Sequence, residues 1–256
     1  MRTQELSFPI AHPGSVRVPV AGSGGCRSVF NDGLTRWLET FADRVSDGTY
    51  VVSPLQPNDP DTTGLCLFPQ KPVALLPISG GLGADSSGGG AVTVAVTRGV
   101  EVTASVIYME MAEQWTYSIG LRVLVAGEPG YVPAAERGFE TCQLSHRHWV
   151  IADSEGRVDH VRGAGVVGIF PLLREGGFRE DNQVPGPGAS PGLPRLASGT
   201  WRPGRFAYQS CSGRSAPGGS FGGELTLVPG SITESTGPPF DVVVGRFSLA
   251  LPEYMF

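Results

Sequence analysis

The sequence predicts an all-β core, an antiparallel sandwich or barrel, preceded by a short helical segment and interrupted by disordered inserts. Three observations carry that expectation. After Gly90 the apolar residues recur at every second position, as in "AVTVAVT" and "VEVTASVIYME", the period of a half-buried strand. Seven to nine such stretches follow one another across Gly-, Pro- or Asp-rich turns, with no helical period between them. The 37 glycines and 22 prolines among 256 residues are concentrated between these stretches, so the chain reads as an ordered core with loose additions rather than as low complexity throughout.

In chain order, residues 1–25 lack periodicity, end in "GSGG" and read as a flexible lead-in. A helix follows, because Leu34, Trp37, Leu38, Phe41 and Val45 recur at helical spacing, with Asn31 or Asp32 as N-cap and Gly48 as stop. "TGLCLFPQKPVALLPI" is apolar but broken by prolines, and supports at most edge strands. "SGGLGADSSGGG", 79–90, is a linker by composition. The strands then run through "AVTVAVT", "VEVTASVIYME", "WTYSIGLRVLV", "QLSHRHWVIAD", "RVDHV", "GVVGIFPLL", "RFAYQSC", "GGELTLV" and "FDVVVGRFSLAL". The stretch Arg174 to Trp201 is too long and too rich in Pro and Gly for a compact connection, and is expected to be a disordered insert.

Composition narrows the function. A net charge of −5 and the lack of any dense Lys/Arg run argue against nucleic acid as a partner. No run approaches the roughly 18 apolar residues needed to cross a membrane, and the first residues carry no secretory signal. Cys26, Cys66, Cys142 and Cys211 form no close pair, so they read as reduced thiols of an intracellular protein, cytoplasmic or nuclear, rather than as zinc ligands.

"VRGAGVVGIFP" spaces Gly163, Gly165 and Gly168 as in a dinucleotide-binding loop. The segment after it is β-branched, aromatic and interrupted by Pro171, so no helix begins and no pyrophosphate site of that kind forms. The glycines instead suit positive φ or a bulge between two strands. Their amides could also form an anion-binding nest beside Arg147 and Arg162.

These residues resemble the ApaG domain family. Arg147, Trp149, Ile151, Asp153 and Gly156 match its R-x-W-x-I-x-D-x-x-G pattern. Val161, Gly163, Gly165, Val166, Val167, Gly168, Pro171 and Leu173 match the glycine-rich part. Pro203, Gly204, Phe206, Tyr208 and Ser210 match P-G-x-x-F-x-Y-x-S, and "GSFGGELTL" is similar to a further motif, with Phe221 and Leu225 as substitutions. Gly245 stands where the family usually has proline. The resemblance implies an immunoglobulin- or fibronectin-III-like sandwich of seven or eight strands over 91–256. "WLETFADRVSDGTYVV", within 26–78, is similar to the tail of a Smi1/Knr4-type domain that precedes ApaG in eukaryotic F-box proteins. The implied function is a non-catalytic module that recruits protein partners for ubiquitin ligase complexes. No F-box is visible in the first 30 residues, so the usual contact with the ligase is not expected of this chain. Bacterial relatives, associated with cobalt and magnesium homeostasis, imply the alternative of a phosphate, nucleotide or divalent metal bound at Arg147, Arg162, Gly163, Gly165 and Gly168. No cofactor is expected.

"DSEG", Asp153 to Gly156, suits a type I turn with a glycine bulge, which would pair Val150 with His160. Trp149, Ile151 and Val161 would then face the core and His146, His148 and His160 the other side. Three imidazoles on one face are a candidate metal site, although no carboxylate is clearly placed with them and solvated histidines are the plainer reading. Cys142, Ser145 and Ser210 lack the sharp elbow of a catalytic nucleophile, and Cys142 and Cys211 read as strand-end packing residues. Asp153, Glu155 and Asp159 read as solvated charge at a turn tip. Trp149, Phe206, Tyr208, Phe240 and Phe247 read as core.

Overall fold

The structure, a computed structural model, describes residues 25–56, 59–73, 91–109, 112, 114–180, 199–212 and 218–251. The lead-in, the 79–90 linker and residues 181–198 of the long insert lie outside the described residues.

Helix α1 spans Gly25–Ser46. It begins before Asn31 and Asp32, so neither caps it: extending a helix already nucleated outweighs one polar cap of about 1 kcal/mol. Its stop is where the sequence puts it, with Gly48 at φ +78°. The inward face is narrower than the apolar spacing suggests. Trp37 stacks on Phe41 at 6.1 Å, and the buried Arg44 donates to the Tyr50 hydroxyl at 2.8 Å, whereas Leu38 and Val45 are exposed. Strands β1 (Val51–Gln56) and β2 (Asp59–Cys66) then pair into a separate two-stranded sheet.

The main body is a sandwich of two antiparallel sheets. One contains β3 (Val92–Thr97), β4 (Val100–Met109), β5 (Gln114–Val123) and β11 (Phe206–Ser212), in the order β11-β5-β4-β3. The other contains β6 (Thr141–Ala152), β7 (Val158–Ala164), β8 (Leu172–Arg174), β9 (Gly177–Arg179), β10 (Arg202–Pro203), β12 (Ser220–Pro229) and β13 (Phe240–Ser248). Its order is β10-β9-β8-β6-β12-β13, and β7 pairs with the far half of β6, beyond β8. The expected strands are present with two corrections. "GVVGIFPLL" holds a tight turn and only the short β8, and residues 174–180 of the supposed insert are ordered as part of β8 and as β9.

Alternation fills the space between the sheets. Val100, Val102, Ala104 and Val106 of β4 face Leu144, Leu225, Leu227, Val242 and Phe247 from the opposite layer, all buried. Full burial of such side chains contributes roughly 1.5–3 kcal/mol each. Cys142 belongs to this core, and burial pushes its thiol up to about 12. At one end the four-residue helix α2 (Ala134–Arg137) brings in Arg137, whose side chain is only 2% exposed. Its guanidinium bonds the Phe139 and Val132 carbonyls and pairs with Glu175 at 2.7 Å, so the buried charge is fully partnered.

The two long sides of the sandwich differ. At one, β3 and β13 are laced together: the Thr93 hydroxyl donates to the Gly245 carbonyl at 3.0 Å, and the Val243 amide donates to the Thr97 hydroxyl at 3.3 Å. A Cβ at Gly245 would lie 2.8 Å from the Thr93 Cβ, so the close approach of β13 to β3 uses a glycine there. At the other side, among the described residues, β7 pairs only with β6 and β11 only with β5, and a cleft opens between them.

Candidate functional site

The cleft owes its lining to a slip in β6. Thr226 pairs with His146 and Leu227 with Leu144, so Ser145 is an extra residue opposite β12. Its hydroxyl donates to the Thr226 carbonyl and its own carbonyl accepts from the Gly165 amide. Before the bulge the inward residues are even-numbered, Cys142 and Leu144; after it they are Arg147, Trp149 and Ile151. The bulge therefore turns an arginine toward the space between the sheets.

Around that arginine stand Tyr117 of β5, Trp149 of β6, Tyr208 of β11 and Phe221 of β12, with Val161 and Val167 at the rim. The cleft holds about 330 Å³, at the lower end of ligand-sized pockets. Tyr117 meets Phe221 at 4.9 Å and the Tyr208 ring edge-on at 6.3 Å, and Trp149 meets Phe221 at 5.1 Å. The Tyr208 hydroxyl is buried and finds no hydrogen-bond partner among the described residues, and the Trp149 indole N–H is turned to the Tyr117 phenol. Burial pushes the Tyr208 phenol well above its ordinary range and raises that of Tyr117, so both stay protonated donors at any ordinary pH.

Arg147 Nη1 donates to the Gly165 carbonyl at 2.7 Å and to the Ala164 carbonyl at 3.1 Å. Its guanidinium lies over Gly163, where a Cβ would come within 2.9 Å of Cζ. Gly163 is thus needed for close approach, not for positive φ. Gly165 and Gly168 do take positive φ, +58° and +77°. Val166 and Ile169 exchange both backbone hydrogen bonds around Val167 and Gly168, a two-residue turn with positive φ at both positions, the type I′ pattern. Two amides of the expected nest, those of Gly165 and Val166, are used inside the fold. Arg162 lies opposite His148 on the outer face, away from Arg147, so the two arginines do not converge on the loop.

The DSEG hairpin forms as expected, with Val150 opposite His160 and Gly156 at φ +81°. Asp153 departs from solvated charge: it accepts from the Glu155 and Arg157 amides and from the Arg157 guanidinium, which holds its carboxyl down to about 2. On the outer face His148 and His160 stack, with His148 Nε2 at 2.9 Å from His160 Nδ1 and His148 Nδ1 at 2.9 Å from Glu224 Oε1. Glu224 is the carboxylate that sequence reading did not place on that face; only the β12 register shows it, opposite His148. The imidazoles bond each other instead of converging with His146, and among the described residues no group of three or more His, Cys, Asp or Glu side chains is arranged to hold a metal ion. Ser210 and Cys211 line the cleft on the opposite side of the sheet from these histidines, so no nucleophile is paired with a base there. Cys211 is exposed, not packed as expected, whereas Trp149, Phe206, Tyr208 and Phe247 are core and Phe240 is partly buried against it.

Part of this chain is similar in sequence to a known family. Residues 109–180 match the family model of the ApaG domain. Beyond that segment, the chain is 29% identical over 232 residues to F-box protein SKIP16 of Arabidopsis thaliana, covering 88% of this chain and 42% of that protein. It is 41% identical over 85 residues to Protein ApaG of Brucella canis, covering 32% of this chain and 58% of that protein. The chain thus spans between two-fifths and three-fifths of the length of these curated relatives. An X-ray structure of a structural-genomics target aligns with a TM-score of 0.39 at 21% identity, over 60% of this chain and 88% of that one. Among the described residues no helix is long and apolar enough to cross a membrane.

Proposed function

We propose that the chain is a non-catalytic binding module that recruits a protein partner through the open side of its sandwich, in the manner of ApaG-bearing F-box proteins. The observation that carries this reading is the outer edge of β7, unpaired among the described residues, beside an aromatic cleft with an apolar rim. A partner strand added to β7 would continue that sheet and send alternate side chains into the cleft next to Val161. The similarity to F-box protein SKIP16 supports a recruiting role. A phosphate or metal at the glycine turn is the weaker reading, because two of its amides are occupied and Arg162 faces away.

The test is affinity capture with the full chain as bait, followed by reconstitution with the purified captured protein. Val161→Lys, at the rim, is compared with Val94→Lys, exposed on the laced side of the sandwich. Loss of binding with Val161→Lys alone is the expected result. Equal binding by both variants would move the interface elsewhere and sink the proposal.

A further inference from the structure

We propose that the cleft between β7 and β11 binds a carboxylate carried on a ring-sized apolar body. The inference deepens the reading of this cleft as a binding site and rests on it, but it does not depend on which protein is recruited.

Four features converge on that chemistry. Among the described residues Arg147 is the one charged side chain in the lining, and no carboxylate stands with it there. Two carbonyls hold one edge of its guanidinium, and Gly163 gives it room to lie flat. A planar guanidinium fixed in this way can pair with the two coplanar oxygens of a carboxylate, and its single charge balances that of a carboxylate, whereas a phosphate, with nearly two charges, calls for more cationic partners. The same charge disfavours the ammonium ligands that aromatic cages usually take.

The remaining polar groups point the same way. The Tyr208 hydroxyl is buried without a partner among the described residues, while the indole N–H of Trp149, which can only donate, is turned to the Tyr117 phenol. A buried donor left unpaired destabilises a fold, and a ligand rich in acceptors would satisfy it. Tyr117, Trp149, Tyr208 and Phe221 supply flat apolar walls, and about 330 Å³ accommodates one ring with a short acidic arm.

The experiment titrates the full-length chain calorimetrically with 3-phenylpropionate and with its neutral counterpart 3-phenylpropan-1-ol. The acid is expected to bind one site at least about tenfold more tightly than the alcohol, the factor of one charge-assisted hydrogen bond. Tyr208→Phe is expected to weaken the acid about fivefold without lowering the melting temperature, since it deletes an unpartnered hydroxyl. Arg147→Gln should abolish binding; should that variant not fold, Tyr208→Phe decides. A second arm compares acetyl-Gly-Val-Phe bearing a free C-terminal carboxylate with its C-terminal amide. A free-acid peptide that binds more tightly than 3-phenylpropionate supports the inference with a protein terminus as the source. Preference for 3-phenylpropionate supports it with a free small acid as the source. No saturable binding of either acid at millimolar concentration, or equal binding of acid and alcohol, overturns it, while partner capture sensitive to Val161→Lys would survive that result.

Discussion

Gly165, just before the type I′ turn, and Val167, within it, stand in opposite relation to their backbone. Gly165 is confined: at φ +58° a Cβ would lie 2.7 Å from the Ile169 carbonyl oxygen and 2.9 Å from the Phe170 ring. Val167 takes φ +50° with a β-branched side chain that is 62% exposed, so it bears strain without a packing return. Gly165→Ala is therefore expected to destabilise the fold by about 1–3 kcal/mol. Val167→Asn is expected to stabilise it by about 1 kcal/mol, since asparagine suits the first position of a type I′ turn. Urea denaturation of both variants checks the pair, and the expectation fails if the two shifts have the same sign. A strained, exposed valine at the rim of a cleft fits a residue kept for contact rather than for folding.

At the scale of the element, the β6–β7 hairpin shows what a sequence can and cannot declare. Its register was legible, because "DSEG" specifies a loop with glycine in the left-handed position, and that loop fixes Val150 opposite His160. The Ser145 bulge was not legible. It depends on two β12 residues, Thr226 and Leu227, more than eighty positions away, and no local pattern in "QLSHRHWVIAD" announces the change of face. Glu224 beside His148 was hidden for the same reason. The hairpin also carries a pH dependence. The folded Asp153 carboxyl is held at about 2, below its ordinary value of 3.8, by the Arg157 guanidinium. A depressed folded pKa contributes stability that is present above the ordinary value and lost as pH falls through about 2. Asp153→Asn keeps the acceptors for the two amides but removes the charge. The stability difference between wild type and this variant is expected to be constant above about pH 5, to shrink below pH 4 and to vanish near pH 2. Chemical denaturation across that range measures it, and a difference unchanged at pH 2 would refute the assignment.

For the whole molecule, strand alternation read from the chain placed most of the core, and the resemblance carried by Arg147 through Leu173 named the class. Neither could show that one side of the sandwich is laced and the other open, because both conditions arise between strands far apart in sequence. The laced side makes its own prediction. Gly245→Ala should push β13 from β3 and destabilise by about 1–3 kcal/mol, as overpacking does. In a chain that also carries Thr93→Ala the combined loss should fall short of the sum of the single losses. A strictly additive double-mutant cycle would show that the two residues do not share one contact.

Cys142 sits on β6, the strand that joins β8, β7 and β12 into one layer, and its thiol is both sealed from solvent and held in the protonated form. A thiolate is the form that alkylating agents attack, so the folded chain protects this sulfur twice, by access and by ionisation. Cys211, at the mouth of the cleft, is exposed to solvent. One polypeptide thus carries a fast clock and a slow one: modification at Cys211 times encounters at the cleft mouth, and modification at Cys142 times the rare parting of the layer itself.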